Sequence, residues 1–406
     1  MLLNQDLCSG CGACYILCPY NAIRMVIDGG AYKATVVDFR CRHCGLCEKV
    51  CPSYTMNDRI SLDNFGIGHF IRCYIGYSTD ESIRWSSSSG GLVTTILCSL
   101  LNKGLISGAI VVRDNPKYPL SSEVVIARDV KDVKSAMGSR YRPVKPSFKI
   151  KDLLDLKGKM AVVGLPCHIW GFRKIEEMSK ELKRKILMHL GLFCGKCPNF
   201  YATIYFIRKV AGLSEEYVVK MSYRGEGWPG RITIETNDNH VSTFEYKDWV
   251  NFSYFPNFIP VRCMLCYDLT NQLADISLGD AWGLAKDEVG VSVAISRTRI
   301  GEEVLQQLNN DGEIFLHEVS PEHISKGQGL EHKIRRSLLR CFIWQRIFKQ
   351  PTPTLPHSIE KISMMEWHLN LAYCTLSYVS RKSFARMMLN ELSPLMSKLK
   401  KMTRMK

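Results

Sequence analysis

Acidic side chains are scarce in this chain: 39 aspartates and glutamates stand against 54 lysines and arginines, a formal charge of +15 over 406 residues. The imbalance sets up a positive field that attracts anions over roughly one Debye length, about 8 Å in physiological salt. No helix-turn-helix, zinc finger or aromatic-interleaved basic stripe accompanies it, so nothing is present to read bases and no nucleic-acid partner is expected. Long apolar runs are missing too. The longest, from Gly91 to Val112, is broken by Asn102, Lys103 and Gly104, which excludes an unaided bilayer span. No apolar signal segment precedes Cys8, no low-complexity tract occurs, and the one internal repeat is a pattern of cysteines.

Cysteine is what the chain has in excess. Seventeen is an odd number, and thiols meant for metal must stay reduced, so a cytoplasmic, anaerobic setting is expected. Cys8, Cys11, Cys14 and Cys18 with Pro19, then Cys41, Cys44, Cys47 and Cys51 with Pro52, are two copies of C-x2-C-x2-C-x3-C-P. In that spacing three thiolates wrap one [4Fe-4S] cube while the fourth holds its neighbour. The expected sets are Cys8, Cys11, Cys14 with Cys51, and Cys41, Cys44, Cys47 with Cys18. Gly10, Gly12 and Gly45 suit loops whose amides approach sulfur. Zinc, which takes separated pairs of ligands around one ion, suits this pattern poorly.

Five more thiols cluster by motif: Cys167 in GLPCH, Cys194 and Cys197 in LFCGKC, Cys263 and Cys266 in VRCMLCYD. Each follows or flanks a strand-like run, a placement that brings distant ligands to one point, and four of them suffice for a third cluster or for zinc. Cys73, Cys98, Cys341 and Cys374 read as ordinary buried thiols.

The cysteine-rich module ends near Asn57, and the polar stretch Asp58 to His69 reads as a linker. Strands are expected at Ile71–Tyr77, Gly108–Val112, Val124–Ala127, Met160–Val163 and Ile186–Phe193, with helices at Gly91–Leu101, Val130–Met137 and Trp170–Leu182. Tyr217–Tyr223 and Arg231–Glu235 suggest a hairpin. Past Ser320 the chain turns helical and basic. From Phe384 onward, methionines and leucines recur at helical spacing opposite lysines and arginines, which suits packing on its own domain, subunit docking or an anionic membrane surface.

Several loops suit a phosphorylated ring compound. WSSSSGGLVT places serines and glycines before an apolar helix, where free amides favour phosphate or a serine simply caps the helix. Gly138, Ser139, Arg140 and Tyr141 offer a cation and an aromatic face. The turn from Arg224 to Gly230 presents Trp228, and Asp280 closes ADISLGD, where it is a ring or ribose acceptor or a helix cap.

Taken together, RWSSSSGGLVT, GSRY, GLPCH, LFC, YRGEGWPG and RCMLCYD followed by ADISLGDAWG resemble the beta-subunit family of coenzyme F420 hydrogenases and dehydrogenases, over roughly Cys73 to Ile314. With the cysteine module in front, the likeness is to the family's F420H2 dehydrogenase members. The resemblance implies FAD, coenzyme F420 as substrate, and a probable third [4Fe-4S] cluster on Cys167, Cys194, Cys263 and Cys266, with Cys197 an addition. It maps the flavin pocket onto Ser87, Ser88, Ser89, Gly90, Gly91 and Thr94, with Ser139, Arg140 and Tyr141. Arg224, Trp228 and Asp280 complete the candidate cofactor contacts.

The expected architecture is an α+β ferredoxin-like module for two clusters (1–57), fused to an α/β flavin-binding domain pair (71–150 and 158–320), with a helical basic extension (331–406). A deazaflavin passes electrons as a hydride pair and clusters take them singly, so a flavin belongs between the two. No catalytic acid or base is assigned. Lys145, Lys149, Lys151, Arg173 and Lys174 are candidate attractors for the coenzyme's anionic tail. The partners expected are coenzyme F420 and a redox protein or subunit, such as a ferredoxin or a dehydrogenase or reductase complex. A ferredoxin-dependent reductase of another organic substrate, or a relay without catalysis, are the alternatives. The location expected is cytoplasmic or peripheral to the membrane.

Overall fold

The computed structural model describes residues 5–55, 59–353 and 362–379; the amphipathic run from Phe384 lies outside them. Two short strands, β1 (Ile23–Asp28) and β2 (Ala31–Val36), form an antiparallel hairpin in the cysteine module. The remaining strands in chain order are β3 (Arg72–Ser78), β4 (Gly108–Asp114), β5 (Ser122–Ala127), β6 (Met160–Gly164), β7 (Ile186–Leu192), β8 (Val218–Ser222), β9 (Arg231–Thr236), β10 (Val241–Glu245), β11 (Ile276–Asp280), β12 (Ser292–Ser296) and β13 (Ile314–Glu318). Eight of them make one mixed sheet in the order β13-β3-β12-β11-β7-β6-β4-β5, and β10-β9-β8 make a small antiparallel one.

The two expected α/β segments contribute to one mixed sheet. β3 pairs with both β12 and β13, from the far end of the chain, and β4 pairs with β6. The expected hairpin at 217–235 is present as β8 and β9.

The apolar stretch that begins at Gly91 splits where its breakers stand. Helix Leu92–Asn102 buries Leu92, Ile96, Leu97 and Leu100 along one side, and Gly104 (φ +66°) turns the chain into β4. Fully burying each such side chain contributes about 1.5–3 kcal/mol. The cysteine module shares a core with the sheet: Ala13, Ile16, Ile23 and Tyr32 pack with Ile169, Phe172 and Ile175 of helix Pro166–Met178. The linker is pinned, since Ser61 and the Gln272 side chain exchange two hydrogen bonds of 2.9 and 2.8 Å. The C-terminal helix Leu330–Arg346 folds back so that Leu339, Cys341, Ile343 and Trp344 cover Val261, Met264 and Leu265.

Strand direction decides where function can sit. β4, β6, β7 and β11 are mutually parallel. β12 is antiparallel to both β11 and β3, so β3 runs with them. The carboxyl ends of five strands thus lie along one edge, where ligands bind in open α/β sheets.

Inside the sheet, His189 on β7 hydrogen-bonds Glu176 through Nε2 (2.6 Å) and Asp275 through Nδ1 (3.2 Å), and Arg173 pairs with Asp275 at 3.0 Å. Burial pushes the Asp275 carboxyl up, but the bonds from His189 and the charge of Arg173 outweigh it and hold it at about 2, against an ordinary 3.8. A lowered carboxylate stabilises the fold above its unfolded pKa and loses that contribution as pH falls toward 2. Asp275→Asn is accordingly expected to cost about 2 kcal/mol at neutral pH and to flatten the acid limb of the stability profile between pH 4 and 2; a thermal-shift series across that range checks it.

Candidate functional site

Each carboxyl end at the sheet edge delivers one of the motifs. After β3, Ser78 N–H bonds the Gly90 carbonyl at 2.6 Å, which sets the serine loop against the strand end. β11 ends on Asp280, β7 runs through Phe193 into Cys194, and β6 runs through Leu165 and Pro166 into Cys167. Asp114, the last residue of β4, pairs with Arg140 and Arg142.

The serine loop is tied on both sides. The Ser139 amide donates to Ser88 Oγ at 2.7 Å, joining the loop to GSRY, and Ser89 Oγ donates to the Val291 carbonyl at 2.9 Å. The Gly90 amide donates to Ser292 Oγ at 2.9 Å. A Cβ on Gly90 would stand 2.6 Å from the Gly76 carbonyl oxygen and 2.8 Å from the Ser292 nitrogen, both backbone atoms, so only glycine fits. Gly91, at φ +78°, opens helix Leu92–Asn102 without a side-chain cap. Ser87 and Thr94 are buried beside it. The uncapped amides at this terminus fit a phosphate group.

Facing the loop is a polar and aromatic wall. Arg224, 2% exposed, makes a bidentate pair with Asp280, two bonds of 2.9 Å, and Asp280 also accepts from Trp228 Nε1 at 3.0 Å. Burial works against the Arg224 charge, but Asp280 and Tyr141 outweigh it and hold the guanidinium protonated. Tyr141 accepts from Tyr246 at 3.1 Å, and Trp228 lies 4.3 Å from Trp282, centroid to centroid. Asp280 is thus neither a helix cap nor an unengaged acceptor; it locks the wall. The wall meets the loop directly, since Gly227 N–H bonds the Trp85 carbonyl at 3.2 Å.

Two expectations for cations change. Arg140 spends its guanidinium on Asp114 and on the carbonyls of Ser135, Ala136, Met137 and Gly138, where it caps helix Val130–Ser135. Four of the five proposed tail attractors are also engaged elsewhere. Lys149 and Lys145 lie over Tyr15 and Tyr32 of the cysteine module, Arg173 serves Asp275, and Lys174 pairs with Glu177.

The thiols gather as sets. Cys8, Cys11, Cys14 and Cys51 line one cavity with Ser9, Gly12 and Ser53. Gly10, Gly12 and Gly45 all adopt positive φ. Amides point at sulfur from Ala34 to Cys8, Ala22 to Cys18 and His43 to Cys41, at 3.4–3.5 Å. Cys44 is exposed, and Cys18, Cys41 and Cys47 are partly so. Burial, and then the charges of Cys51 and Cys8, push the Cys11 thiol up to about 12. A coordinating metal reverses that preference by holding the thiolate.

Cys194 is raised by burial and then by Cys263, Cys197, Cys167 and Cys266, and Cys167 by burial and then by Cys11, Cys263 and Cys266. These thiols therefore surround one point. Cys197 is raised by burial and then by Cys263, acts in turn on Cys194, and its amide donates to the Cys263 sulfur. Among the described residues no three metal-binding side chains close on a single ion.

The sets are neighbours. Cys11 acts on Cys167, and a Cβ on Gly171 would lie 4.0 Å from the Cys11 sulfur. Tyr254, a residue the motifs did not flag, is raised by burial and then by Tyr141, Cys194, Asp280 and Cys197, so it stands near both the aromatic wall and the later thiols.

Fold and site together define an iron–sulfur electron-transfer oxidoreductase. Residues 7–55 match the 4Fe-4S dicluster domain, 73–150 the beta subunit N-term of coenzyme F420 hydrogenase/dehydrogenase, and 157–322 its C terminus. The chain belongs to the coenzyme F420 hydrogenase/dehydrogenase beta-subunit family and carries a 4Fe-4S domain in front. It is 26% identical over 77% of its length to an F(420)H(2) dehydrogenase subunit of Methanosarcina mazei, covering 86% of that protein. It is 28% identical over 63% to the beta subunit of coenzyme F420 hydrogenase of Methanothermobacter thermautotrophicus, covering 87%. A chain of the F420-reducing [NiFe] hydrogenase complex from Methanosarcina barkeri shares the fold at a TM-score of 0.53 and 24% identity, over 72% of this chain and 98% of that one.

Proposed function

We propose that this chain moves electrons between coenzyme F420 and one-electron carriers through FAD and three [4Fe-4S] clusters, as a subunit working with a redox partner. One observation carries the reading: the strand ends that deliver Asp280 of the aromatic wall and Cys194 of the later thiols are adjacent in the sheet, β11 pairing with β7 and the Phe193 amide donating to the Leu278 carbonyl at 2.8 Å. FAD supplies the exchange between a hydride pair and single electrons.

The protein's own residues bind and position. The uncapped helix at Gly91 receives the pyrophosphate, and Ser87 and Ser88 flank it. The Arg224–Asp280 pair holds Trp228 against Trp282 and closes the ring side to water. Cys167, Cys194, Cys263 and Cys266 hold the cube nearest the ring; Cys8, Cys11, Cys14 and Cys51 the next; Cys18, Cys41, Cys44 and Cys47 the outermost. Oxidation of one reduced coenzyme releases two electrons and two protons: the electrons leave singly to two oxidised carriers, and the protons go to water. The exit lies at the exposed thiol of Cys44, beside exposed Arg40, Arg42 and Phe39. Among the described residues no helix is long and apolar enough to cross a membrane.

Anaerobic purification with reconstituted clusters, followed by released-flavin analysis and an assay of viologen reduction by reduced F420, tests the reading. Bound FAD and turnover are expected; protein with full iron but neither flavin nor turnover would sink it. Gly90→Ala sharpens the test. The added methyl collides with backbone on two sides, so flavin content is expected to drop severalfold while the ferredoxin-type signals persist; unchanged flavin would remove the loop from the site.

A further inference from the structure

Arg262 stands immediately before Cys263 in the short helix Val261–Met264 and is 3% exposed. Its guanidinium reaches out of that helix to the carbonyl of Pro52, at 3.4 Å, and Pro52 follows Cys51. The same guanidinium hydrogen-bonds Cys266, and its charge acts on Cys167, Cys263 and Cys51. Apolar contacts hold it there, since Val261, Met264 and Leu265 pack in one cluster with Leu7 of the cysteine module. One buried cation thus bonds a thiol of one set and the backbone beside a thiol of the other, and its charge acts on both. The other cations near these sulfurs are local. Lys196 acts on Cys263 and Cys266, whereas Lys149 feels Cys14 and Cys18.

We propose that Arg262 is a shared charge that stabilises an added electron on both the third cluster and the adjoining ferredoxin-type cluster, keeping the two poised for exchange. This rests on the reading that Cys167, Cys194, Cys263 and Cys266 hold a cube. One-electron reduction adds a negative charge to a thiolate-ligated cube, and a fixed positive charge close by favours that form. Burial makes the effect large, because low dielectric strengthens the attraction and salt reaches it poorly. Hydrogen bonds to the ligating sulfur work in the same direction. Arginine suits the position better than lysine because its planar fork serves a carbonyl and a sulfur at once and does not lose its proton. A shared cation also moves both potentials together, so the gap between neighbours stays small in either direction of flow.

Arg262→Gln and Arg262→Lys in the full chain with reconstituted clusters, read by iron and sulfide content and by an EPR-monitored redox titration, decide the matter. In Arg262→Gln the reduced-to-oxidised ratio of two clusters at a fixed potential is expected to fall about tenfold, which for a one-electron couple is 59 mV. The solvent-facing cluster is expected to stay at its wild-type potential, and Arg262→Lys to move the two inner ones much less. Loss of iron from those two sites in Arg262→Gln, with both retained in Arg262→Lys, counts the same way. Unchanged potentials in Arg262→Gln with full iron would overturn the proposal. So would equal shifts in both variants, or loss of iron from both, since the retained charge would then not be what matters. Wild-type protein holding iron for two clusters only would defeat the cluster reading instead, and the count shows which has failed.

Discussion

Cys194→Ser is expected to lower the iron content from about twelve atoms per chain to about eight and to bring dye reduction by reduced F420 down to background. The Cys194 thiol is partly buried and stands close to Cys167, Cys197, Cys263 and Cys266, so its loss removes a corner of the third cube and no outer thiol is placed to replace it except Cys197. Cys197→Ser is therefore the decisive companion. Cys197 stands beside Cys194 and Cys263, but it is the Cys197 amide, which serine keeps, that bonds the Cys263 sulfur. Full iron and near wild-type turnover are expected in Cys197→Ser. If iron drops in Cys197→Ser and not in Cys194→Ser, the ligand set is wrong. Both variants should retain the EPR signals of the ferredoxin module, whose cysteines come from other loops.

What could be read from the chain alone follows the range of the interactions. The eight early cysteines lie within 51 residues, and their spacing is itself the local geometry of two cubes. Cys167 and Cys194 were legible because each follows a short buried strand, and parallel strands place their ends on one edge. Sheet order was not legible. β3 sits between β12 and β13, partners more than 200 residues away, and no local pattern encodes that pairing; that the two α/β segments share one sheet could not be read for this reason. Residue type also leaves the partner open. Arg140 reads as a cation in a loop, yet Asp114 and four carbonyls claim it. Arg262 and Tyr254 gave no signal, because their importance lies in which distant thiols and rings the fold brings beside them. An apolar residue before Cys263 would have left the motif equally recognisable.

Asp280→Asn tests the other half of the site, and its effect should be among the largest of any single change. Asparagine keeps the shape but removes the charge that Arg224 needs, and the Arg224 side chain is wholly buried. Stranding a buried charge costs about 3–5 kcal/mol, far more than an exposed pair is worth. The loss also frees Trp228, whose indole N–H is anchored on Asp280 and whose ring rests on Trp282. A drop in melting temperature of roughly 6–20 °C with loss of bound flavin is expected, while the two ferredoxin-type clusters persist, since their module packs on a different apolar cluster from the one behind the wall. Arg224→Met combined with Asp280→Asn should recover much of the stability, because no buried charge is then left without its partner, yet it should not recover flavin binding, because the wall is no longer fixed. That contrast separates the pair's two roles. A single variant that melts within about 1 kcal/mol of wild type would show that water, not Asp280, satisfies the guanidinium, and the wall would then be a mobile surface and not a preorganised face for a ring.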